Sequence, residues 1–418
     1  MTTTSPVCAP SPSPATRPGT AVVTGIGVAA PNGFGTAAWW AAVLRGESGI
    51  GPITRFDASG YPVRLAGEVP GFVAADHVSS RLLPQTDRVT RLSLAVAREA
   101  LDDAGVDPAG LPDYGAGVVT ASSAGGFEFG QRELQALWSR GSRYVSAYQS
   151  FAWFYAVNTG QISIRHGLRG PSGAVVSEQA GGLDAVAQAR RQIRRGTPLM
   201  ITGGVDSALC PWGWAAHLAD GRLSTADDPA VAFLPFDAGA RGHVVGEGGA
   251  LFVLEEAEAA RERGAAVYGS IAGCAATFDA DGSAHLADAA RLALADAGVT
   301  RHDIDVVFAD AAGDRAADRA EAAAIAGLFG RFGVPVTAPK SMAGRLLAGG
   351  ASLDLAAALL ALRDQVIPPT TGTRRPADDC PIDLVTGAPR RGVRLRTALV
   401  LARGQGGFNA AAVVSRAD

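Results

Sequence analysis

Lysine is almost missing from this chain: among 418 residues the 37 basic ones are all arginine except Lys340. Cysteine is scarce as well. Cys8, Cys210, Cys274 and Cys380 stand far apart with no CxxC pair, which argues against a zinc site or a disulfide framework. The histidines are scattered and form no metal-binding pattern. A formal net charge of −3 leaves no electrostatic footprint for nucleic acid. No unbroken apolar run reaches the roughly 18–20 residues of a membrane-spanning helix. Residues 1–19, rich in Thr, Ser and Pro, lack the charged start and apolar core of a secretory signal and are expected to form a disordered tail. These absences lead us to expect a soluble, cytoplasmic protein with no metal, no nucleic-acid partner and no membrane partner.

What is present points to a large core. Hydrophobic residues make up 47% of the sequence, and the length exceeds that of one simple domain. Strand-like and helix-like segments alternate. Ala21 to Thr24 reads as a buried strand ending in a Gly25-Ile26-Gly27 turn. That turn lacks the third glycine and the downstream acid of a dinucleotide fingerprint, so helix–strand packing explains it better. Val89 to Ala104 repeats apolar residues at helical spacing, with Gly105 at a cap position and a strand over Ala116 to Thr120 after it. The order recurs later, with a strand near Val267 to Ala272, an Ala-rich helix from His285 to Ala297, Gly298, and a strand over Val306 to Ala309. Such alternation predicts an α/β fold with a mainly parallel sheet covered by helices, built as two similar halves over residues 20–265 and 266–418.

The stretch Val175 to Ala185, VVSEQAGGLDA, combines an apolar strand, a polar elbow and small residues opening a helix. At a helix N-terminus the dipole and free N–H groups stabilise a thiolate, which is why enzymes place a nucleophile there. This chain places Gln179 there, a residue with no ionisable proton and no nucleophilic atom. Four further strings stand out: VVTGIGVAAPNG near the start, FDAGARGHVVGEGGA over 236–250, PKSMAGRLLAGG over 339–350 and GQGGFNA over 404–410.

In order and spacing these strings resemble the beta-ketoacyl synthase family from Ala21 to the end of the chain. The resemblance implies a thiolase-like fold, with duplicated βαβαβαββ halves in a five-layered α-β-α-β-α arrangement. An active member carries a cysteine at the elbow, a histidine opening a His-Gly-Thr-Gly-Thr motif, and a second histidine five residues after the motif lysine. Here the cysteine position holds Gln179. The first histidine position holds Asp310, with Gly313, Asp318 and Glu321 as anchors, and the second holds Arg345, five after the retained Lys340. An aspartate repels the negative charge that the two imidazoles stabilise during condensation. The triple replacement resembles the chain-length factor, or ketosynthase beta subunit, of type II polyketide synthases.

That resemblance implies a non-condensing subunit paired with a homologous ketosynthase alpha subunit, through the long central strand and the segments beside the elbow. The heterodimer would enclose a tunnel that sets poly-beta-ketone length, with acyl carrier protein and the growing polyketide chain as further partners. No cofactor is expected to bind directly, since the carrier protein's phosphopantetheine arm reaches the partner subunit. Ala124 to Trp138 matches the tunnel-lining region, and there Phe127, Gly130 and Leu134 share a helical face. A mid-helix glycine costs about 1 kcal/mol relative to alanine, and room for a longer chain is one reason for Gly130. The competing reading makes Phe127 and Leu134 interface core.

Asp310 and Arg345 are expected as a buried ion pair filling the vacated site, against a competing reading as ordinary loop charges. Lys340 is expected to hydrogen-bond within the old pocket. Two enzymatic alternatives remain open, decarboxylation of malonyl carrier protein through Gln179 and acyl transfer through Ser177 or Cys210. Arg190, Arg191, Arg194 and Arg195 either attract an acidic carrier protein or form a solvated helix end. The aromatic group Phe151, Trp153, Phe154 and Tyr155 is assigned to the dimer interface or the tunnel wall.

Overall fold

A computed structural model describes residues 19–279 and 285–417. The expected N-terminal tail lies, except for Gly19, outside the described residues. The first unit runs β1 (Ala21–Ala30), α1 (Arg88–Asp103), β2 (Ala116–Ala121), α2 (Phe127–Arg140), α3 (Val157–His166), β3 (Ser172–Val175), α4 (Gly181–Arg194), β4 (Leu199–Asp206), α5 (Pro211–Ala219) and β5 (Gly248–Glu256). The second runs β6 (Gly269–Phe278), α6 (Leu286–Ala297), β7 (Val306–Phe308), α7 (Arg315–Phe329), β8 (Pro335–Thr337), α8 (Ala348–Asp364), β9 (Thr397–Gly404) and β10 (Phe408–Arg416).

The strands lie in the spatial order β3-β2-β4-β5-β1 in the first unit and β8-β7-β9-β10-β6 in the second, so the same connectivity occurs twice. The units join where β1 meets β6 antiparallel, Val22 opposite Ser270 and Val23 opposite Gly269. The sheet is mixed rather than mainly parallel. β2 pairs in parallel with β3 and β4, and β7 with β8 and β9, whereas β4–β5, β5–β1, β9–β10 and β10–β6 are antiparallel. The short turn between β9 and β10 leaves no room for the crossover that a parallel pair needs.

Helices complete five layers. α1 covers β1 and β5 on one outside, and α6 covers β6 and β10 on the other. Between the two halves of the sheet lie α4 and α8, each touching strands of both units. α8 is apolar on nearly every side except at Ser352 and Asp354, as suits a helix in the middle layer, and fifteen of its seventeen residues are buried.

Gly25, Ile26 and Gly27 form no turn, because β1 runs straight through them with all ten residues buried. The glycines are there for contact with α1: a Cβ at Gly25 would stand 2.1 Å from the Ala100 carbonyl oxygen, and one at Gly27 2.1 Å from that of Val96. β1 is buried along its whole length, paired with β5 on one side and with β6 at Val22 and Val23 on the other. One open edge belongs to β3, whose sole strand neighbour is β2 and whose residues are exposed or half-buried. Ile164 of α3 and Val176 after β3 are exposed, as are Trp153, Phe154 and Tyr155. An open strand edge and exposed apolar side chains are features that another chain covers. Among the described residues no helix is long and apolar enough to cross a membrane.

Candidate functional site

β3 stops at Val175, and the chain turns through Glu178, a non-glycine residue at φ 50°, before Gln179 and the start of α4. The elbow is pressed against α8. A Cβ on Gly182 would meet the Ser352 hydroxyl at 2.3 Å and the Ala348 carbonyl at 2.7 Å, so only glycine permits the approach. Gln179 is buried. With its carboxamide oriented to match its partners, it accepts from the Leu347 N–H at 3.0 Å and donates to the Leu347 carbonyl at 3.2 Å. Leu347 itself sits at φ 49°. The glutamine thus holds a strained turn, with both ends of its amide engaged.

Beside it, Asp310 follows β7 and is fully buried. The expected ion pair is present: Arg345 donates to the two Asp310 carboxylate oxygens at 3.0 and 3.3 Å and to its carbonyl at 3.2 Å. The Arg403 backbone N–H donates to the same carboxylate at 2.9 Å, with the Arg403 side chain at 3.7 Å and Lys340 at 3.9 Å. Burial alone would raise the Asp310 pKa, but Arg345, Lys340 and Arg403 outweigh it and hold the carboxyl below the usual range. Behind this pair, Glu321 accepts the backbone N–H groups of Asp310 and Ala311 at 2.7 and 2.9 Å, and Arg403 lies 3.6 Å from it. Lys340 forms a buried ion pair with Asp354 at 2.5 Å, and burial pushes the Asp354 carboxyl up to about 6 despite it.

Gln179, Asp310, Arg345 and Arg403 border a cavity of about 360 Å³, with His217 and His243 on its wall. Burial pushes His243 down to about 3, with Arg345 assisting, and His217 to about 4. Both imidazoles are neutral near pH 7. His243 gives a pH test. In the unfolded chain a histidine protonates below about 6.5, whereas folded His243 resists protonation, so stability is lost as pH falls from about 6.5 towards 3. Between about pH 7 and 4.5 the parent should lose on the order of 2 kcal/mol more than H243Q, read from urea unfolding of both proteins. Parallel pH profiles would contradict this.

Neither alternative nucleophile stands at the cavity. Ser177 is buried, donates to Asp184 at 2.6 Å and is not among the residues that border the cavity. Cys210 caps α5, and burial pushes its thiol up to about 11, far from thiolate formation. Arg190 does not face a partner, because it is buried and bonded to Asp296 and the Ala272 carbonyl. Arg194 lies 3.5 Å from the same carboxylate. Among the described residues no group of side chains is arranged to hold a metal ion.

α2 carries the other three candidates. Phe127 is half-buried, Gly130 buried and Leu134 36% exposed. Trp212 of α5, unmarked in the sequence analysis, lies over them. Its ring packs on Phe127 at 4.7 Å between centroids and would be 2.9 Å from a Cβ at Gly130. The space left by Gly130 therefore holds an indole in this chain. A shallow apolar groove continues past Leu134 to Trp138, which is 82% exposed. Arg403 and Asp354 were also missed. Arg403 stands just before the GQGGFNA string, and Asp354 is an acid inside an otherwise apolar helix, a signal that a buried cation is near.

Comparison with known proteins agrees with this geometry. Residues 20–260 match the family described as Beta-ketoacyl synthase, N-terminal domain, and residues 265–374 its C-terminal domain. The chain is 59% identical over 387 residues to the actinorhodin polyketide putative beta-ketoacyl synthase 2 of Streptomyces coelicolor, covering 91% of this chain and 95% of that one. It is 60% identical over 388 residues to the tetracenomycin polyketide synthase ketoacyl synthase beta subunit of Streptomyces glaucescens, with coverage of 91% and 95%. Among solved structures, the ishigamide ketosynthase/chain length factor superposes with a TM-score of 0.88 at 30% identity, over 96% of this chain and all (100%) of that one. A type II polyketide synthase ketosynthase in complex with its acyl-carrier protein, bound to the hexaketide, gives a TM-score of 0.86 at 26% identity and the same coverage, 96% and 100%. With its repeated topology, its elbow and both halves of the family pattern in place, this chain belongs to the beta-ketoacyl synthase family.

Proposed function

We propose that the chain is a ketosynthase beta subunit: a catalytically degenerate member of its family that pairs with a cysteine-bearing ketosynthase and sets polyketide chain length. The observation that carries this reading is the occupied site. Gln179 is tied at both ends to Leu347, and Asp310 with Arg345 fills the positions where two imidazoles would stabilise an oxyanion. The beta-subunit and ketosynthase/chain length factor relatives support the same role. The decarboxylase alternative is less favoured, since the Gln179 amide is buried and oriented by Leu347 at both its oxygen and its nitrogen, which fixes it as part of the turn. Acyl transfer through Ser177 or Cys210 is disfavoured by their burial away from the cavity and, for Cys210, by the raised thiol pKa.

On this reading the open edge of β3 and the aromatic surface near it meet the alpha subunit in the cytoplasm. Phe127, Gly130 and Leu134, with Trp212 over them, form the gate that the growing chain reaches. This subunit binds no cofactor itself; the phosphopantetheine arm of acyl carrier protein enters the partner. Co-expression with such a ketosynthase is expected to yield a one-to-one complex that makes polyketide, while this chain alone, given malonyl-loaded carrier protein, neither condenses nor decarboxylates it. Decarboxylation by the isolated chain that disappears in Q179A would overturn the proposal.

A further inference from the structure

α2 and α5 meet at one more point than the aromatic contact between Phe127 and Trp212. Gln131 follows Gly130 on α2 and shares a face with Phe127, four residues before it, and Leu134, three after it. It is half-buried and borders the same groove as Leu134, Trp138 and Trp212. Its Oε1 accepts the backbone N–H of Trp212 at 2.6 Å.

The first N–H groups of a helix have no partner within it, and at the start of α5 each is accounted for. Pro211 has none to satisfy. The Gly213 N–H goes to the Cys210 Sγ at 3.5 Å, and the Trp214 N–H closes the first helical bond on the Cys210 carbonyl at 2.7 Å. That leaves Trp212, whose N–H is taken by a side chain from another helix. The rest of α5 is held without α2. Trp214 is buried, and its Nε1–H donates to the Val63 carbonyl at 3.1 Å. Beyond the last turn Asp220 accepts from the Gln405 carboxamide at 2.5 Å. The body of the helix is therefore fixed, while the backbone beneath the partly exposed Trp212 indole is tied to α2 by Gln131.

We infer that Gln131 is a positioning residue of the length gate: by holding the Trp212 backbone to α2 it sets how far the indole reaches over Gly130. This rests on the chain-length reading above and adds to it a residue that acts through Trp212. Without the acceptor the first turn of α5 loosens, and a growing chain pushes the indole aside instead of stopping at it. A carboxylate at 131 preserves the tie, because it accepts the same N–H and negative charge is favourable at the first turn of a helix.

Two measurements test the assignment. Hydrogen exchange read by mass spectrometry on the isolated full chain should show the Trp212 amide exchanging about tenfold faster in Q131M than in the parent, and near the parent's rate in Q131E. In the reconstituted synthase, Q131M should shift product towards a chain one two-carbon unit longer, Q131E should restore the parent's length, and Q131M should add nothing in a W212A background. If Q131M does not fold, Q131A, which also lacks the acceptor, should give the same results. Unchanged exchange in Q131M, or lengthening that adds to that of W212A, would overturn the assignment. If W212A lengthens the product and Q131M leaves it unchanged, the role of Gln131 fails while the chain-length reading stands. A parent complex that makes no polyketide would overturn that reading and this role with it.

Discussion

Replacing Asp310 by asparagine is expected to destabilise the chain by about 3–5 kcal/mol, the cost of removing one partner from a buried ion pair. Asn keeps the shape and removes the charge on which Arg345, Arg403 and Lys340 converge. With Asp310 neutral, Arg345 stays buried without the carboxylate that it meets at 3.0 Å. R345M should cost less than D310N, because Asp310 retains the Arg403 backbone N–H and two nearby cations. The double variant D310N/R345M should be more stable than the sum of the single losses, since charge is removed from both sides of the pair. Urea unfolding of the three variants reads this directly. Losses that simply add, or a D310N cost near zero, would mean that the pair is not coupled and does not hold the old site together.

The second large effect is on product length. In the reconstituted synthase, G130T/L134F should shorten the polyketide by at least one two-carbon unit, seen in the masses of the released products. The physical reason is crowding at Trp212. A Cβ on residue 130 would be 2.9 Å from its ring, closer than carbon atoms normally approach, so the indole must shift. The shift has somewhere to go because Trp212 is 41% exposed. Phenylalanine at 134 then adds bulk one turn further along the same face. W212A should act in the opposite direction and lengthen the product. Unchanged products in both variants would place the length gate elsewhere.

Local patterns carried part of the site. Gln179 at the strand–helix elbow could be read from the local pattern, whereas Asp310, Lys340 and Arg345 were marked by the family resemblance, which left their pairing open against a reading as ordinary loop charges. What could not be read depends on contacts between distant segments. Trp212 above Gly130 joins two helices that no periodicity links. Arg190 looks like a solvated cation on its own helix, yet it is drawn to Asp296 on α6. The Gly25-Ile26-Gly27 string reads as a turn by composition, and only the backbone of α1 alongside reveals glycines inside a strand. Likewise Ala21 to Thr24 reads as a short strand, and its continuation to Ala30 depends on pairing with β5, which follows more than two hundred residues later. The same repeated connectivity that buries β1 leaves β3 at an open edge.

Intact-protein mass spectrometry on this chain co-purified with a cysteine-bearing ketosynthase, after incubation with acyl-loaded carrier protein, tests the central claim most directly. A one-to-one complex in which only the partner gains the acyl mass is the predicted result. Acyl mass on this chain would contradict it and show that a nucleophile other than the missing cysteine is at work.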